Sequence, residues 1–344
     1  MTPILACESL RPGNGGVGRV ARLIARVLSE ERTGQAEAIA LSDDVPESAF
    51  GLPVHAARGS RMQFVGAVAR AAMSHSHFIY DFLGMARAHC PLPLLRRPFM
   101  TFLHGIEVWE NGPSSRIRAA RRAAMLIANS AYTRARADRV HGGMSRARVC
   151  WLATETDDPA PEPAASPPCV LIVGRLEEPG YKGHAELVDC WPRVRSAVPQ
   201  ARLLIAGGGP GLGAMRRRAT DGVDVLGFVP EPQMESVWSQ ASIFAMPSRG
   251  EGFGLVYIEA MRHGLPVVAS IHDAAPEVNL QGVTGLNVDL DAPGRLADAL
   301  VDLLRNPAAA AAMGARGRER WQRCFRFSAF RDRFRPMLRE FLSA

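Results

Sequence analysis

Short apolar runs alternate along the chain with longer segments in which apolar residues recur at helical spacing. The short runs are rich in β-branched residues, and the longer segments are rich in Ala, Arg and Leu. This alternation predicts an α/β fold with parallel sheets. It occurs in two series, and the predicted strands are residues 3–7, 37–41, 77–80, 99–103, 125–128 and 148–152, followed by 169–173, 202–206, 223–226, 243–245 and 266–269.

A proline-rich stretch, residues 157–168, separates the two series and has no apolar periodicity. Such a stretch is typical of a semi-extended linker, so it predicts a domain boundary. We therefore expect an N-terminal domain over residues 1–160 and a second domain over residues 161–321. Apolar residues at helical spacing over residues 321–342 predict a further amphipathic helix that packs on a folded domain.

The composition is that of an ordinary globular enzyme. The chain has 344 residues, of which 47% are apolar and 22% are charged, and this excludes a disordered or fibrous protein. The six cysteines are scattered without a C-x-x-C pair, so no zinc or redox site is predicted. The sequence shows neither a signal peptide nor an apolar run of membrane-spanning length, and we expect a cytoplasmic protein.

The net charge of +7 arises mainly from arginines in the first half of the chain. These arginines form either a solvated helical face or a surface for peripheral contact with anionic membrane. They are not interleaved with aromatic residues, so nucleic acid is not expected as a partner. Much of the excess lies in Arg116, Arg118, Arg121, Arg122, Arg134, Arg136 and Arg139.

A glycine-rich turn follows the first predicted strand and leads into a helical pattern. Gly13, Gly15 and Gly18 spell G-x-G-x-x-G, and the unpaired N–H groups at a helix start favour phosphate. An NAD(P)-dependent oxidoreductase would use such a loop, with Asp43 as the acidic residue near the second strand. A plain strand-to-helix turn explains the glycines equally well.

Arg175 and Lys182 follow the predicted strand 169–173, and Lys182 is the only lysine among 41 basic residues. A planar guanidinium beside a compact ammonium suits a diphosphate, because Arg can bind two oxygens while Lys stabilises charge on a leaving group. The alternative is a pair of solvated loop charges.

Residues 246–261 again read as a strand end, a glycine-rich loop and a helix. The N–H groups of Phe253, Gly254 and Leu255 stand at the predicted helix start, where they can bind phosphate. Glu251 in the loop and Glu259 in the helix can accept hydrogen bonds from sugar hydroxyls and from a ribose diol. Otherwise Glu251 is a charge partner of the helix N-terminus and Glu259 is a solvated residue in an almost wholly apolar helix.

Glu251 and Glu259 form an E-x(7)-E motif, and residues 226–270 resemble retaining glycosyltransferases of family 4. The resemblance spans nearly the whole chain, with GGVGR at 15–19, HGIEVW at 104–109, IANSAYTR at 127–134, PEV at 276–278 and VTGL at 283–286. It implies a GT-B architecture, in which two Rossmann-like domains with parallel sheets face each other across a cleft. A C-terminal helix, residues 322–344, would cross back to the first domain.

The resemblance also implies roles for individual residues. Glu251 would hold the transferred sugar, Glu259 would bind the ribose, and His104 would lie near the reacting centre. The predicted catalytic residues are His104, Arg175, Lys182 and Glu251. The predicted donor-binding residues are Gly15, Gly16, Gly18, Arg175, Lys182, Glu251, Gly252, Phe253, Gly254, Leu255 and Glu259. The predicted acceptor-binding residues are Asn14, Tyr80, His104 and Glu107.

By this resemblance the chain is expected to be a hexosyltransferase that moves a sugar from a GDP- or UDP-linked donor to a glycan, lipid-linked or small-molecule acceptor. No residue set for a covalent sugar intermediate is evident, so we expect front-side displacement with retained configuration. Asp289 and Asp291 form a D-x-D in a late loop, and no metal or other cofactor is predicted. The alternatives are a nucleotide-sugar epimerase of the same fold, the oxidoreductase, and a non-catalytic sugar-nucleotide-binding subunit.

Overall fold

The computed structural model describes residues 2–13, 15–31, 36–45, 48–89, 95–109, 114–161 and 168–344. The chain divides into two compact units. Unit 1 consists of Met1–Glu155 together with Phe327–Ala344, and unit 2 consists of Thr156–Arg326. The divisions therefore fall after Glu155 and Arg326, whereas the sequence predicted them after residues 160 and 321.

Unit 1 contains an eight-stranded sheet with helices packed on it. Its strands are β1 (Pro3–Cys7), β2 (Glu37–Ala40), β3 (Ser48–Ala49), β4 (Leu52–Ala56), β5 (His77–Tyr80), β6 (Phe99–Leu103), β7 (Met125–Ala128) and β8 (Arg148–Val149). Its helices are α1 (Gly15–Glu30), α2 (Arg61–Ala71), α3 (Leu83–Ala86), α4 (Ile106–Trp109), α5 (Ser114–Arg122), α6 (Ala131–His141) and, from the C-terminal part of the chain, α14 (Phe327–Ser343). The strand order is β3-β4-β2-β1-β5-β6-β7-β8, and only β3 and β4 pair antiparallel. Every residue of β1, β5 and β6 is buried, which explains their continuous apolar runs.

Unit 2 contains a six-stranded parallel sheet. Its strands are β9 (Cys169–Val173), β10 (Arg202–Ala206), β11 (Val223–Gly227), β12 (Ile243–Met246), β13 (Val267–Ser270) and β14 (Gly285–Val288). Its helices are α7 (His184–Ala197), α8 (Leu212–Arg218), α9 (Glu231–Trp238), α10 (Leu255–Arg262), α11 (Ala275–Val278), α12 (Arg295–Arg305) and α13 (Pro307–Cys324). The strand order is β11-β10-β9-β12-β13-β14.

In both sheets the strand order reverses beside the first strand of the unit. β1 pairs with β2 on one side and with β5 on the other, and β9 pairs likewise with β10 and β12. The carboxyl ends of strands at such a switch point form a crevice in which ligands commonly bind. The loops after β1 and β5 therefore come together in unit 1, and those after β9 and β12 come together in unit 2.

The sequence pattern missed β3, β4 and β14. In β4 only Leu52 and Val54 are buried, and β14 is an edge strand with two buried residues. Strands near a sheet edge have few buried positions, so their apolar runs are too short to be recognised.

The predicted helix over residues 321–342 is in fact parts of two helices. Phe325 leaves helical geometry at φ −128° and ψ 11°, so Trp321 belongs to α13 in unit 2 and only α14 joins unit 1. The break is stabilised by burial of the Phe325 ring, which lies edge-on to Phe253 with ring centroids 5.9 Å apart. No helix in the described part of the chain has both the length and the apolar character needed to cross a membrane.

Candidate functional site

Lys182 and Glu251 meet at the switch point of unit 2. Lys182 lies on the loop after β9 and Glu251 lies on the loop after β12, and these strands are neighbours. Lys182 Nζ donates a hydrogen bond to Glu251 Oε1. The two side chains are 17% and 15% exposed, so the ion pair is largely shielded from water. The structure thus brings together two predicted donor-binding residues that are far apart in sequence.

The ion pair keeps Lys182 positively charged. Burial is the largest single effect and alone would lower the pKa of Lys182, but the Glu251 carboxylate and Tyr181 together outweigh burial, and the pKa lies above its ordinary value. The side chain passes directly over Gly174, where a Cβ atom would lie 2.8 Å from Lys182 Cδ. Gly183 has a left-handed φ of 90°, and a Cβ there would collide with the Pro247 carbonyl. Glycine at both positions therefore allows the two loops to approach.

Arg175 lies on the same loop and has a different partner. Its guanidinium is 69% exposed, and Nε lies 2.8 Å from Glu177 Oε1. Both cations predicted to neutralise a diphosphate are thus paired with carboxylates in this structure. A diphosphate would compete with Glu177 for Arg175 and with Glu251 for Lys182. The exposed pair is the weaker competitor, because water screens it.

Two further side chains, which are not among the residues predicted from sequence, surround Lys182. The Tyr181 ring centroid lies 5.0 Å from Lys182 Nζ, and the ring packs where a Cβ of Gly250 would be, with 2.9 Å to Cδ2. His184, the first residue of α7, has its pKa lowered to about 4, mainly by burial and next by the charge of Lys182. His184 is therefore neutral at pH 7, and Lys182 supplies the positive charge at this point.

Asp273 holds the Glu251 loop and was also missed by the sequence analysis. It lies on the loop after β13 and is 3% exposed. Its Oδ2 accepts hydrogen bonds from the Glu251 N–H, at 3.0 Å, and from the Ser248 hydroxyl, and its Oδ1 accepts the Ala275 N–H at 2.9 Å. Burial raises the pKa of Asp273 to about 6, although these three hydrogen bonds oppose the shift. The signal in the sequence was its position after a strand that neighbours β12.

The remaining predicted donor-binding residues lie at the start of α10 or within it. Gly252, Phe253 and Gly254 are buried, and Gly254 is the residue before the helix. Leu255 is the first helical residue, where N–H groups have no acceptor within the helix. Glu259 is half-buried on α10. The chain therefore presents a helix N-terminus and two carboxylates in one continuous segment.

The glycine-rich turn of unit 1 leads into α1, as predicted. Gly15 and Gly16 are exposed at the start of this helix, and Gly18 is buried within it. Asn14 lies outside the described residues. The exposed N–H groups of a 16-residue helix start are suited to an anion.

His104 and Glu107 are linked to each other after β6. The His104 N–H donates to Glu107 Oε1 at 2.5 Å, and His104 Nε2 donates to the Asp81 carbonyl at 2.7 Å. The Asn129 amide donates in turn to the His104 carbonyl at 2.9 Å. The backbone and ring of His104 are therefore fixed by neighbours, and both predicted residues remain half-buried.

Tyr80 belongs to the core of unit 1, which contradicts its predicted contact with an acceptor. Its side chain is 0% exposed, and its hydroxyl donates to His89 Nδ1 at 3.0 Å. His89 Nε2 donates to the Arg97 carbonyl at 3.0 Å, so His89 can accept this bond. The tyrosine hydroxyl thus satisfies a buried histidine, because β5 is buried on both faces.

A cavity of about 600 Å³ lies in unit 1 between α2, α3 and α5. Glu8 and Phe82 line it, so it reaches the switch point beside the ends of β1 and β5. Its apolar lining includes Leu41, Phe64, Val65, Phe82, Met85 and Phe99, and its basic lining is Arg61, Arg87, Arg116, Arg118 and Arg122. Phe64 and Phe99 are buried, whereas all of the arginines except the half-buried Arg116 are exposed. The cavity is therefore lined by both apolar and polar groups, and most of its arginines face solvent.

The arginine-rich surface predicted from the sequence divides between two helices. On α5, Arg118 and Arg122 are exposed and line the cavity. On α6, Arg136 is half-buried, with its guanidinium 4.6 Å from the Trp109 ring centroid and 3.0 Å from the Tyr132 hydroxyl. Only part of the predicted surface is thus available to a partner.

The structure adds His272 to the D-x-D of unit 2. Potential ligand atoms of His272, Asp289 and Asp291 lie within 4.8 Å of one another. Each of these groups already has a partner. The Leu290 N–H donates to His272 Nε2 at 3.1 Å, the Asp291 N–H donates to Asp289 Oδ1 at 2.9 Å, and Arg249 donates to Asp291 Oδ1 at 2.7 Å. The Arg249 guanidinium thus supplies positive charge to this cluster.

Comparison with known sequences points to one family. The model of the family described as Glycosyl transferases group 1 matches residues 167–306. A GDP-mannose-dependent alpha-(1-6)-phosphatidylinositol monomannoside mannosyltransferase of Mycolicibacterium smegmatis is 34% identical over 265 residues, which cover 67% of this chain and 69% of that protein. A phosphatidyl-myo-inositol mannosyltransferase of Mycobacterium leprae is 38% identical over 140 residues, which cover 40% of this chain and 37% of that protein.

Solved structures share the fold along the whole chain. Anabaena HepE in complex with UDP and glucose aligns with a TM-score of 0.80 at 19% identity, covering 99% of this chain and 100% of that one. Sucrose-phosphate synthase from Thermosynechococcus elongatus aligns with a TM-score of 0.84 at 20% identity, covering 100% of both chains. With the two parallel-sheet units, these matches confirm the predicted GT-B fold class.

Proposed function

Because the chain belongs to the group 1 glycosyl transferases, we propose that it transfers a mannosyl group from GDP-mannose to a lipid-linked acceptor with retention of configuration. Family membership confirms the predicted glycosyltransferase and favours it over the oxidoreductase alternative. The choice of GDP-mannose, from the GDP or UDP donors expected from sequence, is supported by the relatives that are named as mannosyltransferases.

The observation that carries the proposal is the Lys182–Glu251 pair at the switch point of unit 2. In the proposed reaction the donor diphosphate takes Glu251's place beside Lys182, and the released carboxylate accepts hydrogen bonds from the sugar hydroxyls. Lys182, Arg175 and the N–H groups at the start of α10 then stabilise the charge that grows on the leaving diphosphate. Glu259 binds the ribose in this proposal.

Retention follows, in this proposal, from front-side attack by the acceptor. The leaving phosphate oxygen accepts the proton of the acceptor hydroxyl as the new glycosidic bond forms and the sugar–phosphate bond breaks. A double displacement would need a carboxylate that attacks the sugar. In this proposal the Glu251 carboxylate binds the sugar hydroxyls instead, and both oxygens of Asp273 already accept hydrogen bonds inside the unit, so neither residue is assigned as a nucleophile.

An anionic lipid is the acceptor class that best suits the cavity of unit 1. An acyl chain fits walls such as Phe64 and Phe99, and a phosphate group fits the exposed Arg61 and Arg122. Met62 and Val65 of α2 are apolar and are 86% and 48% exposed, and this supports peripheral contact with an anionic membrane.

The test is a donor and acceptor panel with purified protein. GDP-mannose, UDP-glucose and UDP-galactose are each incubated with phosphatidylcholine vesicles that do or do not contain phosphatidylinositol, and released nucleoside diphosphate and lipid products are measured. We expect GDP release and a mannosylated lipid only with GDP-mannose and phosphatidylinositol. Reaction with a UDP-sugar alone would contradict the donor, and equal reaction with a water-soluble glycan would contradict the acceptor.

Two further measurements test the stereochemistry of transfer and the contact with membrane independently of each other. The product anomer, read by NMR, should be α from the α-linked donor, and a β product would contradict front-side displacement. Sedimentation with the same vesicles at low and high salt tests membrane contact, which should weaken as salt screens the arginines. Absence of binding at low salt would contradict peripheral association.

A further inference from the structure

Asp273 and Ala274 hold the backbone of Glu251 by hydrogen bonds to its N–H and to its carbonyl, and we call these two bonds the clamp. The Asp273 carboxylate accepts the Glu251 N–H at 3.0 Å, and the Ala274 N–H donates to the Glu251 carbonyl at 3.1 Å. Both polar groups of the Glu251 backbone are therefore bonded to the loop after β13. A loop held in this way has fewer accessible backbone conformations, so the direction of the Glu251 side chain is restricted.

The clamp is itself anchored in the interior of unit 2. Asp273 Oδ1 accepts the Ala275 N–H at the start of α11, and Oδ2 accepts the Ser248 hydroxyl. The Ser248 carbonyl accepts the Ser270 hydroxyl, and Ser248 Oγ lies 3.3 Å from the buried Tyr257 hydroxyl. Ser248, Ser270, Asp273 and Tyr257 are each at most 3% exposed. The carboxylate is therefore a fixed point from which the Glu251 loop extends.

We propose that Asp273 is a positioning residue that holds Glu251 where its carboxylate can exchange Lys182 for the hydroxyls of the transferred sugar. This inference rests on the proposed role of Glu251. Asp273 has no contact with the sugar in the proposal, and it acts only through the Glu251 backbone. Its effect should therefore appear in the step that uses the sugar and not in binding of the nucleoside diphosphate, which Lys182 and Arg175 contact.

The variant Asp273→Asn tests the clamp with little change in volume. In either orientation of the amide, the NH₂ group faces an N–H that the carboxylate had accepted, so one contact of the clamp or of α11 is lost. Ser248→Ala is the matched control, because it removes a hydrogen bond to the same Oδ2 and leaves the Glu251 N–H in place. We expect Asp273→Asn to lower kcat at least tenfold, with Kd for GDP changed less than threefold, and Ser248→Ala to lower kcat less than threefold.

A double-mutant cycle with Glu251→Gln distinguishes the possible failures. If Asp273 acts through Glu251, the double variant Glu251→Gln with Asp273→Asn has the same kcat as Glu251→Gln alone. Additive losses, or an unchanged kcat in both Asp273→Asn and Asp273→Ala, which removes both acceptor oxygens, would overturn the positioning role. An equal loss of GDP binding and kcat would show a general structural effect and would also overturn it. If Glu251→Gln itself has the wild-type kcat, the proposed function of Glu251 fails instead.

Folding is checked by thermal melting of each variant with and without GDP. Should Asp273→Asn be unfolded at the assay temperature, Asp273→Ser replaces it in the same cycle, because the serine oxygen can still accept one N–H bond. The same outcomes then apply: a kcat loss absent from the Glu251→Gln background supports the clamp, and an additive loss overturns it.

Discussion

The switch points of the two units contain carboxylates in opposite situations. In unit 1, Asp81 after β5 is 0% exposed, accepts the N–H groups of Glu8 and Phe82 at 2.9 Å, and has its pKa raised well above its ordinary value by burial. In unit 2, Glu251 after β12 is paired with Lys182 and remains partly exposed. The first carboxylate joins strand ends, whereas the second, in the proposed function, exchanges its partner for a ligand.

The difference extends to where each unit presents its charge. Unit 2 places its basic and acidic groups on loops at the switch point, held by a buried hydrogen-bond network. Unit 1 presents arginines from α2 and α5 around a cavity that is partly lined by apolar side chains. In the proposed function, the same arrangement of strands therefore supports a site for a compact anion in one unit and a site for an amphiphile in the other, because the helices and loops differ.

Glu251→Gln gives the sharpest test of the unit 2 site. We expect kcat to fall by about 10²–10³-fold, the loss typical of removing one preorganised group from a transition state. The amide no longer attracts Lys182, while the shape of the side chain is kept. Initial rates with GDP-mannose measure the effect, with the exposed Glu319→Gln as control. A wild-type rate in Glu251→Gln would show that Glu251, like Asp81, has only a structural role.

Acid sensitivity tests whether unit 2 unfolds separately from unit 1. The pKa of His263 is lowered to about 4 by burial and next by Arg262 and Arg318. Between pH 6.5 and 4 the unfolded chain binds a proton that folded unit 2 does not, so unit 2 loses stability as pH falls. We expect His263→Gln to abolish about 3 kcal/mol of this loss, measured by urea unfolding at both pH values.

The control for this experiment is Gln233→Ala, an exposed residue of unit 2 that is uncharged at both pH values. It should leave the acid-induced loss unchanged. If His263→Gln shifts the urea unfolding midpoints of both units equally, the two units unfold in one transition, and the expected difference between them is wrong.

The cavity arginines test whether unit 1 selects the acceptor. Arg61→Gln combined with Arg122→Gln should raise the acceptor KM about tenfold, equivalent to about 1.4 kcal/mol, because two groups that pair with phosphate are removed. The KM for GDP-mannose should stay constant. Arg139→Gln, an exposed arginine of α6 outside the cavity lining, is the control. Equal changes in both KM values would contradict the assignment.

Tyr80→Phe tests the reassignment of this residue to the core. Loss of the hydrogen bond to His89 should lower the free energy of unfolding by about 1 kcal/mol, with unchanged KM for the acceptor. Denaturant unfolding and steady-state rates measure the two effects. An increased acceptor KM without loss of stability would restore the sequence-based prediction.

The smallest effect is expected from metal removal. Exhaustive treatment with EDTA should leave the rate unchanged, because the proposal assigns stabilisation of the leaving diphosphate to Lys182, Arg175 and a helix start. Rates are compared before EDTA, after EDTA, and after Mg²⁺ or Mn²⁺ is restored. A rate that requires metal would contradict the proposal, and Asp289→Asn would then test the cluster with His272.

The two units also differ in how much could be predicted from sequence. The places of Lys182, Glu251 and the start of α10 in the fold were predictable, because the glycines, the cation and the helix start lie in short segments that directly follow buried strands. The cavity of unit 1 was not, because its walls come from separate helices, of which α2 ends at Ala71 and α5 begins only at Ser114, and are created only by packing. Tyr80 was misassigned because a strand-end tyrosine looks the same in sequence whether its hydroxyl meets solvent or a buried histidine.

Burial and strand pairing explain which of the other strands and residues were predicted from sequence and which were missed. Buried strands such as β1 and β9 have continuous apolar runs and were predicted, while β4 and β14 have too few buried positions. Asp273 was missed because nothing local marks it. Its importance arises from the pairing of β12 with β13, which brings it to the Glu251 N–H.

The return of α14 to unit 1 sets the order in which the protein can be completed during synthesis. Phe334 and Phe341 of this helix are buried in unit 1, where their rings lie 5.6 Å from Phe102 and 5.1 Å from His77. All of unit 2 precedes α14 along the chain, so unit 2 leaves the ribosome with every residue of its core. Unit 1 is synthesised before unit 2 but cannot complete its core until α14 emerges, and until then the apolar surface that α14 covers stays exposed.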